Sequence, residues 1–280
     1  MSSWLIPAIF AALIAIGITL AIEHLGGKRG GLIGTLPSTI VPAALGLSTA
    51  STSIIDFQDA LRMTPAGMLI NALFLLCWRE LPPFLPRFGS RLRLGICTVI
   101  SLLLWLGMAT LSVWIFPAAK TIGIHASELS LFLLILGIAL GIAACLKNPP
   151  APKVKAKVGP IAILSRGLLA GFAIGVSIWL ASNSGPLIAG VAAVFPAMFL
   201  TTMFTLWIAH GEHVGAGAVG PMMLGGTSVS AFALIATWSM PTFGGPWGAA
   251  FAWGVSVVII TVPAWAWLNR IAVPMQSTNQ

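Results

Sequence analysis

Residues 185–210 read GPLIAGVAAVFPAMFLTTMFTLWIAH, with no acidic or basic side chain before His210. The run exceeds the roughly 20 apolar residues that cross the hydrocarbon core of a bilayer. Pro196 stands in its middle, where a proline removes one backbone donor and frees a carbonyl. Residues 30–53, GGLIGTLPSTIVPAALGLSTASTS, follow the same plan, with Pro37 inside an apolar run. Both stretches read as interrupted membrane helices, and the rest of the chain is organised around them.

The composition agrees. Of 280 residues, 58% are hydrophobic and 7% charged, and the mean hydropathy is +1.01. A soluble domain carries roughly 25% charged residues, so lipid must be the solvent for most of this chain. Every backbone donor and acceptor then needs an internal partner, which leaves helices or closed barrels. The apolar runs are continuous rather than alternating, which favours helices. The expected class is an all-α integral membrane protein. The net charge of +8 would suggest nucleic acid in a soluble protein; here it reads as the basic bias of cytoplasmic loops, and no nucleic acid is expected. Cys77, Cys97 and Cys145 lie singly in apolar runs and read as small buried hydrophobes. Met1–Ile22 has no basic residue before its apolar core and is expected to stay as a first helix rather than to be cleaved.

About nine transmembrane helices emerge: Trp4–Ile22, Gly30–Leu47, Thr64–Trp78, Leu92–Phe116, Leu129–Leu146, Ile161–Ala181, Pro186–Ala209, Pro221–Trp238 and Gly248–Leu268. The third is short and reads as tilted, starting earlier, or part of a broken helix. Nine crossings put Lys28, Arg29, Arg79, Arg87, Arg91, Arg93, Lys147, Lys153, Lys155, Lys157, Arg166 and Arg270 on one side, with only Arg62 and Lys120 on the other. The basic side is the cytoplasm, so the N-terminus is expected outside and the C-terminus in the cytoplasm of a multi-pass protein of the cell inner membrane. Trp4, Trp78, Trp114, Trp238 and Trp267 fall near span ends and are expected to anchor at the interfaces.

Shifting the chain against itself by 159 residues superposes Gly26 on Gly185, Gly31 on Gly190, Pro37 on Pro196, Gly67 on Gly226, Pro82 on Pro241, Gly89 on Gly248 and Gly95 on Gly254. Glycine and proline set backbone shape, so shared positions imply a shared path. Residues 1–117 form repeat 1, with four transmembrane helices. Residues 118–158 hold a linking helix and the basic linker Lys147–Lys157, KNPPAPKVKAK. Residues 159–280 form repeat 2, again with four. Five crossings separate the two starts, so the repeats are expected to be inverted, an arrangement common among secondary transporters.

Transporters of this kind bind substrate near the midplane, at interrupted helices. The candidate substrate site is Thr35, Pro37, Ser38 and Thr39 in the first half and Pro196, Thr201 and Thr202 in the second. Asn71, Thr227, Ser228 and Ser230 complete it; Asn71 and Ser230 are equivalent under the 159-residue shift. Each hydroxyl near a proline also has a plainer reading, satisfying the kink itself. His210, Glu212 and His213, approached by Glu23 and His24, form a candidate metal or proton-coupling cluster; a solvated turn is its plainer reading. Met198, Met203, Met222 and Met223 suit soft ions or simply fill apolar gaps.

The chain has no phosphate-binding GxxxxGK[ST] motif and none of the sequence signatures GxSxG or HExxH. No cofactor and no enzyme activity are expected. The leading expectation is a secondary active transporter of a small solute, working by alternating access, proton-coupled, and carrying a divalent metal cation. A transporter of a small organic acid or other metabolite is the alternative, because helix N-termini freed at the breaks favour anions. A membrane-embedded enzyme and a non-transporting partner subunit are the rivals from other classes. The expected partners are the substrate or ion and the lipid bilayer, with a homo-oligomer left open.

Overall fold

The computed structural model describes residues 4–25, 36–147 and 159–271, and all its regular structure is helical. The helices are α1 (Leu5–Leu25), α2 (Ile40–Ala50), α3 (Ile54–Arg62), α4 (Thr64–Glu80), α5 (Ser90–Thr121), α6 (Ala126–Leu146), α7 (Pro160–Asn183), α8 (Pro186–Ala192), α9 (Ala197–His210), α10 (Glu212–Phe243), α11 (Gly245–Ser256) and α12 (Val262–Ile271). A single π-helical turn, Val257–Thr261, joins the last two. Pro263 follows it, and a proline cannot donate to the carbonyl four residues back.

Among the described residues seven helices are long and apolar enough to cross a membrane: 54–80, 90–121, 126–146, 160–183, 186–210, 212–243 and 245–270. Leu5–Leu20 and Ile40–Ala50 are shorter apolar helices. The protein is thus a membrane-embedded helical bundle. Lys28, Arg29 and most of the basic linker lie outside the described residues.

Three expectations need correction. The third span starts at Ile54 rather than at the Thr64 bound, the earlier start being one of the readings its short length left open. Pro65 cannot donate to Leu61, so the helix pivots at Met63, and α3 and α4 act as one crossing. The eighth span starts at Glu212 rather than Pro221, because Pro221 is accommodated inside α10; neighbouring helices allow this in a bundle. Trp78 is not an interfacial anchor: it is fully buried and packs edge-on against Trp207, with ring centroids 6.0 Å apart.

The packing follows from small residues. Gly167, Gly171 and Gly175 recur at four-residue spacing on α7, and any side chain there would meet Ala12 and Ile16, Ala8 and Ala12, or Trp4 and Ala8 of α1. Such small-xxx-small stripes let backbones approach closely. The opposite order of the contacting residues makes α1 and α7 antiparallel. Gly190 of α8 sits on the backbone carbonyl of Ala60 in α3, where a Cβ has no space. α4 packs along α10, α6 packs against both, α5 covers α4, and α11 covers α10.

The boundaries fall close to the 159-residue shift. Moved back by that amount, α7 begins near residue 1, α9 near residue 38, α10 near residue 53 and α11 near residue 86. Their counterparts α1, α2, α3 and α5 start at Leu5, Ile40, Ile54 and Ser90. Moreover α1 packs on its counterpart α7, and α4 on its counterpart α10.

Candidate functional site

The helix formed by α8 and α9 breaks over residues 193–196, ending at Pro196, the N-cap of α9. The chain also runs without helix over residues 36–38, just before α2. These two non-helical stretches meet. Thr39, Ile40, Ala193, Val194, Phe195, Pro196, Met198 and Phe199 line one cavity, closed by Met68 and Asn71 of α4 and Val229 of α10. Its volume is about 90 Å³, roughly three water molecules' worth at ~30 Å³ each.

Asn71 organises the wall. It is 2% exposed, and its Nδ2 donates to the Val194 carbonyl at 2.8 Å. Its Oδ1 accepts from Trp105 Nε1, also at 2.8 Å. An indole N–H only donates and a carbonyl only accepts, so these partners fix the amide's orientation. Trp105 is held in turn by an edge-to-face contact with Phe195, at 5.2 Å and 81°. The carbonyl freed by the break is thereby satisfied by a side chain from the other half of the chain.

No lining side chain is charged. The electrostatics come from the backbone. α2 starts at Ile40 and α9 at Ala197, and among the described residues no side chain caps either start. The N–H groups of Ile40 and Val41 in α2 and of Met198 and Phe199 in α9 carry the positive end of a helix dipole toward the cavity, whereas the Ala197 N–H is taken by the Phe195 carbonyl at 2.8 Å and Pro42 has none. The N-cap of α2, Thr39, and the second residue of α9, Met198, are equivalent under the 159-residue shift.

Of the expected substrate-site residues, the structure brings Thr39, Asn71 and Pro196 to this cavity. Pro37 is buried in the non-helical stretch before α2 but does not line the cavity, and Ser38 accepts a hydrogen bond from Trp253 at 3.4 Å. Thr201, Thr202, Thr227 and Ser228 turn their hydroxyls back onto carbonyls of their own helices: Ala197, Met198, Leu224 and Gly225 respectively. They read as helix-internal bonds. Thr227 borders a separate apolar groove with Ile138, Ile142 and Trp267, and Ser230 is buried beside the cavity residue Val229. Thr35 lies outside the described residues.

The His210–His213 cluster does not converge on a point. Glu212 faces Arg93 of α5 at 3.2 Å, whereas His213 Nε2 is 4.0 Å from Glu212 and its side chain is 87% exposed. His210 Nε2 is buried without a hydrogen-bond partner. Glu23 and His24 are on α1, but their side chains lie outside the described ones. Among the described residues no three His, Cys, Asp or Glu side chains gather as a metal site. Of the methionines singled out, only Met198 lines the cavity, joined by Met68.

Sequence reading missed Trp105, Met68 and the Val194 carbonyl. Trp105 left one signal: it lies mid-span, far from the interfaces where tryptophan anchors.

Compared with known proteins, the chain matches no family model, no curated protein and no solved structure.

Proposed function

We propose that the chain is a secondary active transporter of a small anionic solute, with a small organic acid the leading class. It works by alternating access between two inverted four-helix halves of an inner-membrane protein. The observation that carries this reading is the pair of helix starts without side-chain caps, within two residues of register under the 159-residue shift, on one cavity. In low dielectric, first-turn N–H groups without partners are costly, and an anion satisfies them while a cation does not. Discontinuous helices aimed at a midplane site recur in inverted-repeat carriers. The inversion itself is supported by the agreement of boundaries under the shift and by the pairing of α1 with α7 and of α4 with α10.

A divalent cation has less support. The cavity wall offers it no carboxylate or imidazole, and Glu212 is engaged by Arg93. The volume suits an acetate-sized anion rather than a nucleotide. With no phosphate-binding loop in the sequence, an ion gradient or the membrane potential supplies the drive.

Concentration jumps on proteoliposomes test the reading. Acetate, lactate, phosphate and sulfate are applied in turn, then zinc and manganese. Saturable uptake of at least one anion is expected, lost when Val229→Trp fills the cavity. Uptake of a divalent metal without uptake of any anion would overturn it.

A further inference from the structure

Arg166 is only 5% exposed, in the second turn of α7, and its Nε has no hydrogen-bond partner. The other arginines drawn into the bundle have carboxylates: Asp59 for Arg62, Glu80 for Arg79 and Glu212 for Arg93. Arg166 is more buried than any of these, and no carboxylate pairs with it among the described residues. A cation at this depth is costly without a countercharge and usually marks a substrate or ion path.

Its direction on the helix narrows the source of that charge. Ile161, Leu164, Leu168, Phe172 and Trp179 form the exposed stripe of α7. Arg166 lies about 160° round the helix from Leu168, at 100° per residue. It therefore faces the protein interior, away from lipid headgroups. Its inward stripe continues through Ala170, Ala173 and Ser177, all buried and all small. Three turns beyond Arg166, Ile178 packs on Gly46 of α2. The elements around α7 are α1, α2, α8 and α9, so two of its neighbours are the half-helices whose starts form the cavity.

We propose that Arg166 is an anion-binding residue, whose guanidinium supplies the countercharge for the transported anion on the cytoplasmic approach to the cavity. The inference rests on the anion reading above and adds a charged contact to it. A guanidinium presents two parallel donors that match a carboxylate, so the geometry favours carboxylates over spherical ions. Between Arg166 and the helix starts this stripe is packed closed by small side chains, so the anion passes only when these helices part.

The test is thermal unfolding and equilibrium binding of the purified full-length protein in neutral detergent, titrated with acetate, lactate, phosphate, sulfate and chloride. At least one anion should stabilise the wild type saturably. Arg166→Gln should weaken that anion's binding about tenfold or more, the loss expected of a charge-assisted contact. Arg166→Lys keeps the charge but not the fork, and should weaken a carboxylate more than chloride. If Arg166→Gln does not fold, the Arg166→Lys comparison decides. Unchanged affinity in the variants would overturn the role of Arg166 and leave the anion reading standing; no stabilisation of wild type by any anion would overturn both. Glu23 lies one turn beyond Thr19 on α1. If Glu23→Gln and Arg166→Gln lower the stability of the anion-free protein while anion affinity is unchanged, the guanidinium belongs to an internal ion pair and the proposal fails.

Discussion

Asn71 holds together groups from three parts of the chain: its own helix α4, the break at Val194 and the indole of Trp105. Replacing it with leucine leaves a buried carbonyl and a buried N–H without partners. Each such orphan costs about 1–3 kcal/mol. Asn71→Leu should therefore lower the unfolding midpoint clearly and abolish saturable anion uptake. Thr202→Val should do neither, because the Thr202 hydroxyl only returns a bond to Met198 of its own helix. Thermal melts of the two variants side by side check this, and equal melts would contradict the wall described above. The contrast also marks what the sequence revealed of the site. Asn71, Pro196 and Thr39 were readable because proline breaks and a lone amide in an apolar span are visible as residue types. That the Thr201, Thr202, Thr227 and Ser228 hydroxyls turn inward on their own helices depends on rotamers, which no residue string records.

At the scale of elements, the bundle is set by where backbones touch. Gly171 lies against the Ala8 carbonyl of α1, and a large side chain there must push α1 from α7. Overpacking of this kind costs about 1–3 kcal/mol. Gly171→Leu should lower the melting midpoint and the yield of monodisperse protein, while Phe172→Leu, on the lipid-facing stripe at 71% exposure, should leave both near wild type. Size-exclusion profiles and melts measure the difference, and a tolerant Gly171 would contradict the close α1–α7 seam. Helix existence was largely legible, since a run of apolar residues long enough to cross is a direct consequence of bilayer thickness. Helix ends were less so. Both Pro221 and Pro65 looked like starts; Pro221 is an interior residue of α10, and Pro65 lies inside a longer crossing that pivots at Met63. A proline loses the same donor in both places; whether the helix continues depends on neighbours that the local sequence does not name.

For the whole molecule, the account depends on two equivalent four-helix units facing opposite ways, so that their broken helices present like ends to one cavity. Charge bias and the 159-residue register both point to this from sequence, and the matching boundaries of α7, α9, α10 and α11 with α1, α2, α3 and α5 support it. Ile54 and His213 are equivalent under the shift, as the first residue of α3 and the second of α10, and both are exposed, at 63% and, for the side chain, 87%. The decisive measurement is side-specific labelling. Single Ile54→Cys and His213→Cys variants are made in a background with Cys77, Cys97 and Cys145 changed to alanine, and treated with a membrane-impermeant maleimide. The account predicts that Ile54→Cys reacts on intact cells, and that His213→Cys reacts only after permeabilisation. Reaction of both from the same side would contradict it.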